Sequence, residues 1–221
     1  MTERTTIDIV HHYLSQQKIL PLFYHDDFNI CVHVIDSCYE AGCRIFEFTN
    51  RGVNAFANFS KLKELVPGRW PSLILGVGTI QSVSDAQRFH QAGADFLISP
   101  FMDSNIAHYC LQHAIPFIPG CMTPTEIHQA KEAGCSIVKI FPASVVTRDF
   151  IRAVKDVFPG TKYVVTGGVA ATTESIAHWV DDDVLAIGAG SQLFKKEWIS
   201  TNQWPALTAH LKALYSSTIS L

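Results

Sequence analysis

Short apolar runs recur along the chain, and stretches with helical periodicity fill the gaps between them. The runs are residues 19–24, 43–49, 72–79, 95–100, 115–120, 135–142, 162–168 and 184–191, eight in all. Each is the length of a strand and too apolar for a sheet with one wet face, so the pattern predicts parallel strands covered on both sides. Between them, "NICVHVIDSCYEAG", "VSDAQRFHQAGA" and "PTEIHQAKEAG" carry helical period. The third opens with Pro124 behind Thr123, and the three close on Gly42, Gly93 and Gly134, which are start and stop signals in the right order. The recurrent "AG" before a strand marks a weak internal repeat of one βα unit, and strand starts lie 20 to 29 residues apart. A further helix, "TIDIVHHYLSQQ", precedes the first strand, and the tail after Ser191 also reads as helical. Eight consecutive βα units most simply close into an α/β (β/α)8 TIM barrel with an extra N-terminal helix. An open doubly wound sheet is the alternative. No linker, charge block or low-complexity stretch divides the chain, so one barrel domain over residues 1–221 is expected.

Composition narrows the partners. Of 221 residues, 48% are hydrophobic and 17% charged, with a net charge of −3 and no strongly basic run. Nucleic acid and an anionic membrane surface are therefore not expected partners. The six cysteines at 31, 38, 43, 110, 121 and 135 form no CxxC pair and read as reduced, mostly buried thiols. The start "MTERTTIDIV" has no apolar signal core, and no run approaches a membrane span. A cytoplasmic protein is the expectation.

In a barrel the chemistry sits at the C-terminal ends of the strands. Glu47, Thr49 and Arg51 share one face of the second strand with Ile45, while Phe46 and Phe48 point the other way. In "CSIVKIFPAS", Lys139 lies on the face of Ile137 and Phe141, with Val138 and Ile140 outward. Lys139 and Glu47 therefore both point into the barrel. One reading is a structural ion pair, which is costly to desolvate and often adds no net stability. The other is a nucleophilic amine, kept neutral by an apolar wall and a cationic neighbour, that attacks a ketone. "GVGT", ending in Thr79, is read equally as a tight turn or a ligand contact. "TGG" at 166–168 and "GAGS" at 188–191 end the last two strands. Glycines there allow close approach of an anion, and a following helix N-terminus would add positive potential. The ten histidines form no ligand set, and "DDD" at 181–183 reads as a solvated turn.

"EFTNR", "GVGT", "LISP", "PFIPG", "VKIFPA", "VTGG" and "GAGS", in this order between residues 19 and 194, resemble the 2-dehydro-3-deoxy-phosphogluconate (KDPG) / 4-hydroxy-2-oxoglutarate aldolase family. The resemblance implies a class I aldolase, usually a homotrimer, that releases pyruvate and an aldehyde from a small-molecule 2-keto acid, with no metal or other cofactor. The aldehyde would be glyceraldehyde 3-phosphate or glyoxylate. It further implies that Lys139 forms the Schiff base and Glu47 moves protons. Arg51 and Thr79 would hold the pyruvate carboxylate, Thr166 and Phe141 line the site, and Gly167, Gly168, Gly190 and Ser191 cradle a phosphate. The chain departs from the family pattern at Phe101 after Ser99-Pro100, at Val165 before TGG, and at Phe23-Tyr24 where the first strand ends. A metal-assisted or acid/base epimerase or decarboxylase acting on a sugar phosphate, and a non-catalytic metabolite-binding barrel, are the other readings of the same residues.

Overall fold

The computed structural model describes residues 5–218. Residues 1–4 and 219–221, which the expected 1–221 unit includes, lie outside the described residues. In chain order the elements are α1 (Ile7–Gln17), β1 (Ile19–Phe23), α2 (Phe28–Glu40), β2 (Ile45–Thr49), α3 (Ala55–Arg69), β3 (Ile74–Gly78) and α4 (Val83–Gln91). Then come β4 (Leu97–Ile98), α5 (Ser104–Gln112), β5 (Phe117–Ile118), β6 (Gly120–Cys121), α6 (Pro124–Glu132) and β7 (Ile137–Ile140). The last are α7 (Arg148–Val154), β8 (Lys162–Thr166), α8 (Thr173–Trp179), β9 (Val184–Ala189), α9 (Lys196–Ser200) and α10 (Trp204–Thr218). Among the described residues no helix is long and apolar enough to cross a membrane.

The strands form one parallel ladder in the order β5-β4-β3-β2-β1-β9-β8-β7-β6. Its two ends are consecutive in sequence, separated by Pro119 alone. β5 pairs with β4, and β6 pairs with β7. The run at 115–120, expected as one strand, is thus a single stave that closes the barrel by pairing half on each side. Pro119 has no N–H to give, but its carbonyl accepts the Lys139 amide at 2.8 Å. Eight staves and their helices make a (β/α)8 barrel, and the open sheet is set aside.

Side-chain alternation along each stave divides the core into two layers. Leu20, Ile45, Ile74, Phe96, Ile118, Ile137 and Val164 fill the interior together with Val10 and Leu14 of α1. Phe46, Phe48, Val138 and Ile140 pack outward against the helices. α1 therefore seals the N-terminal end of the barrel. Burial of Val10 and Leu14, both fully covered, contributes about 1.5–3 kcal/mol each. Gln17, at the end of α1, accepts the Arg44 amide at 2.7 Å and donates to the Ile45 carbonyl at 3.0 Å, which fixes the seal to the foot of β2.

The helix ends explain the sequence repeat. After α2, α4 and α6 the residues Gly42, Gly93 and Gly134 take positive φ of 102°, 86° and 83°. In each case the next amide reaches back to the last buried turn, as in Cys43 N–H to the Cys38 carbonyl at 2.9 Å. This is the Schellman closure that glycine favours. α6 also carries the full capping box, with Thr123 and Glu126 serving each other's backbone amides. After α5 the same closure forms, with Ile115 N–H to Cys110 O at 2.9 Å, but the left-handed position is Ala114 at φ 51°. An L side chain there costs about 1–2 kcal/mol. Part of that is offset by the extra unfolded-state freedom of glycine, about 0.4–1 kcal/mol. Ala114→Gly is expected to raise the unfolding free energy by about 0.5–1 kcal/mol. Urea denaturation, read as a higher midpoint at unchanged slope, checks it.

Candidate active site

The apolar lower half of the barrel ends one residue up from Ile45 and Ile137 on the inner face, at Glu47 and Lys139. Lys139 lies between Gly120 and Val164 in the ladder, and Glu47 between Leu22 and Gly76. Their side chains meet across the interior, Lys139 Nζ to Glu47 Oε1 at 3.8 Å, with 4% and 0% of each side chain exposed. That is long for a charge-assisted hydrogen bond, which runs about 2.7–2.9 Å. Neither Glu47 oxygen has a hydrogen-bond partner among the described residues. Burial pushes the Glu47 carboxyl above its usual range, with Lys139 and Arg51 pulling it partly back. Burial likewise pushes the Lys139 ammonium below the lysine range, while Glu47 opposes this and Arg51 adds to it. Each group is thus driven toward its neutral form. The Phe141 ring lies 5.4 Å from Lys139 Nζ and forms part of the wall around the amine.

Glu47 fits because its neighbour on β3 has no side chain. A Cβ at Gly78 would collide with the Glu47 carboxylate, and one at Gly188 with the Thr166 hydroxyl. "GVG" is therefore not a turn: it ends β3, and Gly78 leaves the space that Glu47 occupies. Thr79 follows it with φ 62°, and its Oγ1 accepts a hydrogen bond from Arg51 Nε at 3.2 Å. Two of the expected carboxylate contacts are thus joined at the rim.

Above the pair opens a cavity of about 760 Å³. Thr49, Arg51, Phe141, Thr166, Gly167, Gly168, Gly190 and Ser191 line it, whereas Glu47 and Lys139 lie just beneath its floor. The Thr166 hydroxyl is buried without a hydrogen-bond partner among the described residues. Gly167 and Gly168 have φ of 99° and 78°, conformations that L side chains avoid. The loop after β7 is tied to this turn by Ala143 N–H to Thr166 O and Ser144 N–H to Gly167 O, each 2.8 Å.

One expectation for the glycine-rich ends does not hold: neither leads directly into a helix. α8 begins only at Thr173, beyond residues 169–172, because the two left-handed glycines turn the chain away first. After Gly190 the chain makes a tight turn in which the Gly190 carbonyl accepts the Leu193 and Phe194 amides at 2.8 and 2.9 Å. α9 follows and is five residues long.

Tyr24, His25 and Lys196 also line the cavity. His25 and Lys196 sit in loops or at a helix start, where no periodicity marks a side chain as inward, so sequence pattern did not single them out. Burial and a hydrogen bond to Asp26 push the Tyr24 phenol up to about 12, which leaves it protonated at the wall. Among the described residues no group of three or more His, Cys, Asp and Glu side chains is placed to hold a metal ion. The aspartates at 181–183 form a turn: Asp181 accepts the Asp183 and Val184 amides at 2.9 Å and pairs with Arg148, and Asp183 pairs with Lys155 and Lys162. The cysteines are free, five of them buried.

The family described as KDPG and KHG aldolase matches residues 10–210. The 2-dehydro-3-deoxy-phosphogluconate aldolase of Treponema pallidum is 29% identical over 199 residues, which is 89% of this chain and 91% of that one. The 2-dehydro-3-deoxy-6-phosphogalactonate aldolase of Escherichia coli is 32% identical over 123 residues, 55% of this chain and 59% of that one. A Legionella pneumophila KDPG aldolase, solved with pyruvate captured as a covalent carbinolamine, superposes with a TM-score of 0.83 at 22% identity, covering 92% of this chain and 97% of the other.

Gly78→Ala tests the space requirement. The added methyl forces Glu47 off its position in a packed interior, so a loss of about 1–3 kcal/mol is expected in urea denaturation. An exposed-turn control, Gly160→Ala, has open space around its would-be Cβ and loses stability only through its φ of 83°.

Proposed function

The chain belongs to the KDPG and KHG aldolase family, and from that premise we propose that it works as a class I aldolase with Lys139 as its Schiff-base residue. The observation that carries this assignment is the buried Lys139–Glu47 pair, 3.8 Å apart beneath an open cavity, with both groups driven toward neutrality. A neutral amine attacks, and a neutral carboxylic acid delivers a proton.

The steps follow from these two groups. The Lys139 amine adds to C2 of a 2-keto-4-hydroxy acid, and Glu47 protonates the former carbonyl oxygen to give a carbinolamine. Loss of water leaves a protonated imine. Glu47, now a carboxylate, removes the C4 hydroxyl proton. The C3–C4 bond breaks, C4 leaves as an aldehyde, and the electron pair passes into the imine as an enamine. Protonation at C3 and hydrolysis release pyruvate and restore the amine. The imine nitrogen is the electron sink throughout, so these steps call on no metal. Arg51, joined to Thr79, offers a planar guanidinium suited to the substrate carboxylate. Thr166, with its unpartnered hydroxyl, and Phe141 line the path between the carboxylate end and the glycines at 167, 168 and 190 with Ser191, which we assign to the distal end of the substrate. The substrates this supports are 2-keto-3-deoxy-6-phospho sugar acids and 4-hydroxy-2-oxoglutarate. A cytoplasmic homotrimer, the family's usual form, belongs to the same proposal.

Borohydride reduction in the presence of pyruvate tests the reading. A reduced pyruvate adduct on the Lys139 peptide is the expected product, and its absence under conditions that trap a known class I aldolase would overturn the assignment. Lys139→Met should abolish both trapping and pyruvate release while the far-UV circular dichroism stays native. The pH dependence has a defined sign. Trapping needs the free amine, so its rate rises with pH, with a midpoint below the ordinary lysine range. The Glu47 charge raises the Lys139 pKa. Glu47→Gln removes that support, and the midpoint of the trapping profile should move to lower pH.

A further inference from the structure

The cavity is lined by three basic side chains, Arg51, Lys196 and His25, and by no aspartate or glutamate. Glu47 is absent from that lining, and Asp26 accepts a hydrogen bond from the Tyr24 hydroxyl. The cations are not clustered. Arg51 follows β2 and Lys196 follows β9, and these strands are two neighbours apart around the ring, β2-β1-β9. β1 therefore stands between the two strands from which their loops depart. The wall between them includes Leu22, Phe23 and Ile30, which are apolar.

The two adjacent lysines of "FKKEW" differ in place. Lys195 is laid over the Trp198 ring, 4.6 Å from its centroid. Lys196 lines the cavity with Ile199 and Ser200, beside the Gly190–Ser191 turn. Lys196 forms no ion pair among the described residues. The turn that presents it is fixed by Phe194, whose ring packs edge-on against Phe23 at 5.1 Å. His25 adds a donor on the neighbouring stave: its Nδ1 accepts the Asp27 amide at 3.0 Å, which leaves the ring proton on Nε2.

We propose that Lys196 is a specificity-determining residue, whose ammonium reads a terminal phosphate on the aldehyde half of the substrate. This rests on the aldolase reading above and deepens it. A substrate with a carboxylate at one end and a phosphate at the other matches a cavity with a cation at each end and apolar wall between. Backbone amides of the glycine turns take any small polar group. A side-chain ammonium separates a dianion from a hydroxyl, because only the charged ligand is drawn to it strongly in a cavity without competing carboxylates.

The test uses the aldol direction, with pyruvate fixed and glyceraldehyde 3-phosphate or glyceraldehyde as acceptor. The readout is the ratio of kcat/KM for the phosphorylated to the bare aldehyde. Wild type should favour the phosphorylated acceptor, and Lys196→Met should lower the ratio tenfold or more. Lys196→Arg should restore most of it, and Lys195→Met should leave it at the wild-type value. The wild-type preference should also weaken as salt is raised. A wild-type ratio near one, an unchanged ratio in Lys196→Met, or an equal fall in Lys195→Met would overturn the proposal. Borohydride trapping of pyruvate on Lys139, run on the same preparations, separates the two levels. Loss of trapping in wild type counts against the aldolase reading itself, whereas intact trapping with an unchanged ratio counts against Lys196 alone.

Discussion

Two ionisable groups buried side by side set the terms for the rest of the barrel. Lys139 and Glu47 stand in an interior that otherwise holds Leu20, Ile45, Ile74, Ile118, Ile137 and Val164. A lone charge there would carry a desolvation penalty of several kcal/mol, and a close ion pair would recover much of it. At 3.8 Å, with no hydrogen bond to either Glu47 oxygen, the pair is only loosely compensated. The result is an amine and an acid that burial pushes toward their neutral forms. Such a site lowers stability locally, and the apolar layer beneath, sealed by α1, offsets it.

Volume is the second constraint, and it is solved by omission. The staves next to Glu47 and Thr166 carry Gly78 and Gly188 on the inner face, where any side chain would overlap the functional one. Gly76 does the same for Phe96 one level down. The lower half is consequently filled by buried apolar side chains. The upper half exchanges side chains for a cavity of about 760 Å³, with the Lys139–Glu47 pair beneath it. Stability and chemistry occupy different levels of the same strands, which is the usual division in this architecture.

The electrostatics of the cavity follow from the same arrangement. Among the described residues no aspartate or glutamate lines the cavity, and its basic lining side chains are Arg51, Lys196 and His25. An anionic substrate entering the cavity meets no fixed negative charge before it reaches Glu47. There burial pushes the carboxyl toward its protonated form, which weakens the repulsion that a fixed negative charge would exert.

Period and chemistry along the strands were legible in the amino-acid sequence. The eight apolar runs, the helix stops at Gly42, Gly93 and Gly134, and the inward alternation of Glu47 and Lys139 are local consequences of backbone geometry, and each was readable before any fold was known. What local pattern does not carry is the meeting of residues distant in the chain. Gly78, in a run that reads equally as a turn or a ligand contact, owes its place to the Glu47 carboxyl, 31 positions earlier. The 115–120 run read as one strand because only ring closure divides its pairing between β4 and β7. His25 and Lys196 sit where period fails, and the turns that aim them depend on contacts such as Phe23 with Phe194. Alternation along each strand fixes which residues face inward, and so which chemical groups the interior holds. The distance between the amine and the acid, the space left for them and the basic side chains that line the cavity are set by packing between staves rather than by spacing within one.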